Sequence, residues 1–151
     1  MLQKLQAARQ ERKKQTEAVG AALQEKLAPA LQFSISELQI ALFIKVQKAI
    51  SGAKLFADDE RHTYLGTIED EFAADSIFNE FGTHGSPFSS DSIWNEFGDF
   101  GGEFSSESPF NQFSLSPPLI VKNDKIIARL TVSKFVQGSI DSNWLKSNFK
   151  Y

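Results

Sequence analysis

Apolar residues recur at a helical period over the first third of the chain and lose that period afterwards. From residue 2 to 27 nearly every position is a good helix former, interrupted by Gly20 and stopped by Pro29, which predicts a first helix over about 2–27. Its apolar positions, Leu2, Leu5, Val19, Leu23 and Leu27, leave a gap at residues 9–14, where Arg9, Arg12, Lys13 and Lys14 have nothing to bury. That stretch reads as a solvated face, or one held from outside the chain. Ser34-Ile35-Ser36-Glu37 has the form of a capping box and Gly52 sits where a left-handed C-terminal cap belongs, so a second helix is expected over about 35–51. Winding it at about 100° per residue puts Ile35, Leu38, Leu42, Phe43, Val46, Ala49 and Ile50 on one broad face, the expected core contact. Ile40 and Ile44 fall on the polar far side with Lys48. Either the first helix covers that pair, or they meet a partner or a second copy. Ile40, Ile44 and Lys48, with Arg12 and Lys13 of the basic stretch, are the candidate partner-binding residues of a helical segment spanning residues 1–55.

Past residue 63 the pattern changes to internal repetition. Residues 75–90 read DSIFNEFGTHGSPFSS, residues 91–106 read DSIWNEFGDFGGEFSS, and residues 107–114 begin a third copy, ESPFNQFS, so the period is 16 residues without a gap. Asp75, Asn79, Phe81 and Gly82 of the first copy correspond to Asp91, Asn95, Phe97 and Gly98 of the second, and Trp94 and Asn111 occupy the matching aromatic and amide positions. The absence of strict alternation argues against strands. Each unit reads instead as an Asp or Ser cap, one short helical turn closed by Gly82 or Gly98 at positive φ, and a Gly-x-x-Gly loop returning Phe88 or Phe104 to the interior. The Asn amides are expected to bond neighbouring backbone. The aromatics available for burial cannot offset the ordering of this many residues, so the repeats must lean on the chain at either side.

That support is expected from a strand at Thr63–Ile68 and a hairpin in which Leu119–Lys122 and Lys125–Val132 flank an Asn123-Asp124 turn, with Pro117-Pro118 keeping the entry extended. The expected fold is α+β: an N-terminal helical arm or hairpin, then a small antiparallel sheet covered by the aromatic-rich repeats over residues 63–140, and a tail at 141–151. A YLGxI strand, tandem DSI[FW]Nx[FY]GxxGSx[FY]SS units and a PPxIV hairpin together resemble a widespread group of uncharacterised bacterial proteins with such repeats, over roughly residues 63–135. The resemblance brings no activity, ligand or catalytic residue with it. This chain carries Phe where such repeats typically carry Tyr, and His84 stands where the next unit has Phe100. Members of the group often look exported.

Charge follows the same divisions. The net charge is −3, yet residues 1–62 carry ten Lys/Arg against seven Asp/Glu, residues 63–118 none against ten, and residues 119–151 six against two. The acidic middle disfavours nucleic acid there. The chain has no cysteine, which excludes disulfides, thiolate metal sites and cysteine nucleophiles. The basic start lacks the apolar run of a secretory signal, and the longest apolar stretch, Ile40–Ile44, is five residues, so a cytoplasmic protein without a membrane span is expected. His62 and His84 have no triad neighbours at a useful spacing. Asp75 with Asp91, and Glu80 with Glu96, could serve as paired carboxylates or Ca²⁺ ligands, but capping and solvation explain them as well. The expectation is a non-enzymatic protein–protein interaction or assembly module, without catalytic residues, metal or cofactor, engaging a protein partner or itself. A repeat domain binding sugar or Ca²⁺ is the first alternative, and a small hydrolase using the repeated carboxylates is the second.

Overall fold

The computed structural model describes residues 2–149, with the backbone alone described at Leu2, Leu5 and residues 30–33. The expected apolar contacts of Leu2 and Leu5 and the last two residues of the expected tail lie outside the described residues. The fold is α+β. A long helix α1 (Leu2–Ile50) precedes the strands β1 (Lys54–Phe56), β2 (Tyr64–Thr67), β3 (Leu119–Lys122), β4 (Lys125–Leu130) and β5 (Ser139–Ile140), and a short helix α2 (Ser142–Asn148) follows. The chain divides into two compact units, Met1–Val46 and Gln47–Tyr151.

The two expected helices are one. Pro29 lies inside α1, where it removes one backbone hydrogen bond at a cost of about 3 kcal/mol. Strong helix formers on both sides outweigh that, because a break would orphan the backbone groups at two new helix ends. Ser34 and Glu37 are therefore exposed mid-helix residues rather than a capping box. The expected core face is also corrected: Ile50 is buried and Phe43 and Val46 are half-buried, but Ile35, Leu38 and Leu42 are exposed. Gly52 does end the helix at φ 72°. The last turn of α1 belongs to the second unit. There the Lys122 ammonium donates to the carbonyls of Lys48, Ala49 and Ser51 at 3.2, 3.0 and 2.8 Å, and Gln47 Nε2 donates to the carbonyl of Asn148.

The sheet runs in the order β2-β1-β3-β4-β5. It is antiparallel up to β4 and parallel between β4 and β5, so it is mixed where an antiparallel sheet was expected. The hairpin turn is as read: Asn123 and Asp124 take φ values of 52° and 58°, the left-handed pair that a type I′ turn requires. The expected tail holds α2 instead, capped by Asp141, whose carboxylate accepts the Trp144 amide, and anchored by the buried Leu145.

Each repeat is a coil of linked tight turns. The amides of Ser76, Asn79 and Gly82 donate to the carbonyls of Ala73, Ser76 and Asn79, each three residues back, and the Ser86 amide then reaches four residues back to Gly82. Ser89, Ser92, Asn95 and Gly98 repeat the three-residue steps, and Gly102 reaches back to Gly98. Four short steps and one long one make the 16-residue period. Small or amide side chains recur at every third place because that place faces inward. Ser76, Ser92 and Ser108 are fully buried, and their hydroxyls accept the amides of Phe78, Trp94 and Phe110 at 3.1, 3.2 and 3.1 Å.

Successive coils stack through side chains. Ile77, Ile93 and Pro109 are buried in register, and the rings of Phe78, Trp94 and Phe110 follow at centroid spacings of 6.0 and 5.6 Å. The Trp94 indole N–H donates to the Ile77 carbonyl, tying two coils. The first coil bonds to β2, where the Thr67 amide donates to Asp75 and the Ile77 amide to Thr67. The third bonds beyond β4, where the Val132 amide and the Ser142 hydroxyl both donate to the Pro109 carbonyl. The repeat layer therefore bridges β2 to the segment past β4, enclosing Leu55, Leu65, Ile68, Ile120 and Leu130.

Candidate functional site

Two features of the repeats reverse the sequence reading. Phe81, Phe97 and Phe113, and likewise Phe72, Phe88 and Phe104, point to solvent rather than inward, with Phe97 98% and Phe88 91% exposed. In each coil the Ser and the residue after it face the interior, and the residue two beyond each Asn does not. Gly82 and Gly98 are not at positive φ. They are small because a Cβ at Gly82 would stand 3.0 Å from the Ala74 carbonyl oxygen. Tighter still is the next glycine, since a Cβ at Gly85 or Gly101 would lie 2.0 or 2.3 Å from the main-chain oxygen of Asn79 or Asn95.

Three of the exposed rings, Phe88, Phe97 and Phe104, line clefts beside Trp94. One cleft of about 390 Å³ is lined by Pro87, Phe88, Trp94, Asn95, Glu96 and Phe97. A second, of about 530 Å³, shares Trp94, Glu96 and Phe97 and adds Glu103, Phe104 and Lys146. A third, of about 330 Å³, brings Glu80 and Glu96 together beside Phe78, Trp94 and Lys146. All three share Trp94 and Glu96 and together line an aromatic and acidic groove around Trp94. The Lys146 ammonium lies 5.6 Å from the Trp94 ring centroid, a cation–π contact.

A separate acidic cleft of about 770 Å³ is lined by Asp58, Asp59, Glu60, Asp91, Asp99 and Glu107 with Arg61. Arg129 pairs with Asp58 at 2.7 Å at its edge. The Thr63 hydroxyl holds the Asp59 carboxyl below its ordinary range, against the opposing effect of burial. Tyr64 is pushed up by burial and then by the charges of Asp75 and Glu69. Among the described residues no group of three or more His, Asp or Glu side chains is placed to hold a metal ion. Asp75 is exposed and contributes its main-chain carbonyl to β2, so Ser76 rather than Asp75 turns the chain. His84 packs edge-on against Tyr64 at 4.9 Å.

Asn79, Asn95 and Asn111 bond backbone as expected. On α1, Ile40 and Ile44 are exposed, and so are Arg12, Lys13 and Lys48. By length and composition α1 over Gln6–Ile50 is also apolar enough to cross a membrane, a property that the short apolar runs of the sequence conceal. Phe88, Phe104, Glu103 and Lys146 are site residues that the sequence reading missed. The three-residue spacing of Ser, Asn and Gly carried the signal for the first two. No family model, no curated protein and no solved structure matches this chain.

Proposed function

We propose that the chain is a non-enzymatic assembly module whose contact element is α1, meeting a protein partner or a second copy of itself. The observation that carries this reading is the exposure of Leu23, Leu27, Ile35, Leu38, Ile40, Leu42 and Ile44 along one helix. At about 100° per residue, Leu27, Ile35, Leu38 and Leu42 share one arc while Ile40 and Ile44 lie across from them. A helix apolar on opposite sides is stable when other surfaces cover it. Each side chain has about half its surface left to bury, worth roughly 1 kcal/mol apiece. Covering most of them offers the scale of a micromolar contact before the costs of association.

The test is light scattering on the sized full-length protein. Changing Ile40 and Ile44 to Asp should lower the mass of the oligomer or complex while the far-ultraviolet signal of the sheet and repeats is kept. An unchanged mass would remove α1 as the contact element.

A further inference from the structure

We propose that the aromatic and acidic groove around Trp94 is a docking site for the basic stretch of α1, residues 9–14, of a second copy. This rests on the self-association form of the reading above and assigns it a surface. The groove combines two chemistries. Phe88, Phe97 and Phe104 offer exposed rings, and Glu96 and Glu103 line the same clefts. The clefts are lined by three carboxylates, Glu80, Glu96 and Glu103, against one cation, Lys146, so the groove is net negative. An occupant has to bring positive charge on long side chains able to lie along aromatic rings.

The groove already holds one such group. Lys146 lies over the Trp94 ring in a cleft that Glu80 and Glu96 also line, which shows the chemistry the surface accepts. The densest matching charge in the chain is Arg9, Arg12, Lys13 and Lys14, all exposed. At about 100° per residue Arg9, Arg12 and Lys13 fall on one face of the helix, so they can enter a groove together. Guanidinium groups stack on rings better than most side chains, and two of the four are Arg. A contact between different surfaces of two copies closes into a two-fold dimer when they exchange their basic stretches reciprocally, and otherwise builds chains or rings.

The receptor for the test is the full chain carrying R9E, R12E, K13E and K14E, which removes competition from its own basic stretch. A fluorescein-labelled peptide of residues 2–27 is titrated against it by anisotropy. Saturable binding is expected, weakened about tenfold when Phe88 and Phe97 are both changed to Ser, exposed positions at which the fold holds. Binding should also weaken as salt is raised. Three results each overturn the proposal: no saturable binding, equal binding by the F88S/F97S receptor, or equal binding of a peptide carrying the four Glu substitutions. The scattering experiment separates this from the broader reading. A mass sensitive to I40D/I44D with no peptide binding removes only the groove, whereas peptide binding with an insensitive mass removes only the apolar contact of α1.

Discussion

Asn95 holds Ser89 across a turn of the central coil: its side-chain amide donates to the Ser89 carbonyl at 3.0 Å while its oxygen accepts the Phe97 amide at 3.1 Å. Asn79 and Asn111 do the same with Ala73 and Ser105, so one residue per coil satisfies two backbone groups that no neighbouring strand reaches. Replacing Asn95 by Ala should cost about 1–2 kcal/mol in equilibrium urea unfolding, since it strands the Phe97 amide and leaves the Ser89 carbonyl with the Ser92 amide alone. Phe97→Ser, at an exposed ring, should stay within about 0.5 kcal/mol. Equal costs for the two would contradict the inward placement of the Asn.

Gly101→Ala is expected to be more damaging than a polar substitution at the surface. The new methyl would meet the main-chain oxygens of Asn95 and Ile93 at 2.3 and 2.6 Å, and neither atom belongs to a flexible side chain that could swing away. A loss of about 2–3 kcal/mol is expected from the resulting backbone shift. Gly20→Ala provides the contrast. Nothing lies within 4 Å of its Cβ position, and Ala should stabilise α1 by about 0.5–1 kcal/mol, read as helicity by circular dichroism.

Asp59 accepts the Thr63 amide at 2.9 Å and the Thr63 hydroxyl at 2.6 Å, closing the turn before β2. Its carboxyl titrates below the ordinary value when folded. The stabilisation it gives is therefore present above the unfolded value, about 3.9, and lost as pH falls through the folded one. Wild type should melt above Asp59→Asn at pH 7, with the gap closing toward pH 3. A gap that persisted unchanged in acid would show that ionisation of Asp59 has no part in it.

Lys122 places one ammonium on three carbonyls at the C-terminal end of α1. That is where a cation gains most from the helix dipole and from free acceptors. Lys122→Met should cost about 1 kcal/mol, and because the contact is exposed the cost should shrink in high salt. Urea unfolding at two salt concentrations measures both effects.

What could be read from the sequence were the local signals with a single physical outcome. Asn123-Asp124 can form only a tight left-handed turn between two apolar runs, and Gly52 only a helix end, and both stand as expected. The repeat period was legible because it is literal identity. The side-chain directions were not. Apolar residues at Phe81 and Phe97 look like core under a helical or strand period, and a coil of three-residue turns has neither. Pro29 has a local cost that reads as a stop, but the good helix on both sides outweighs it. β5 and α2 are too short for periodicity, and the parallel pairing of β4 with β5 depends on contacts distant in sequence. In the groove, Trp94 and Phe97 stood out through repetition, while Lys146 comes from a different element and only folding brings it to Trp94.

The stack of coils is pinned at both ends, to Thr67 of β2 and to Val132 beyond β4. The strands between those pins act as a gauge on how many units fit. Another 16 residues would have to enter a gap already filled, at a stacking increment like the 5.6–6.0 Å between successive rings. Growth of this layer by duplication would therefore have to be accompanied by a change in the width of the sheet, so a chain with more units needs a different strand framework to carry them.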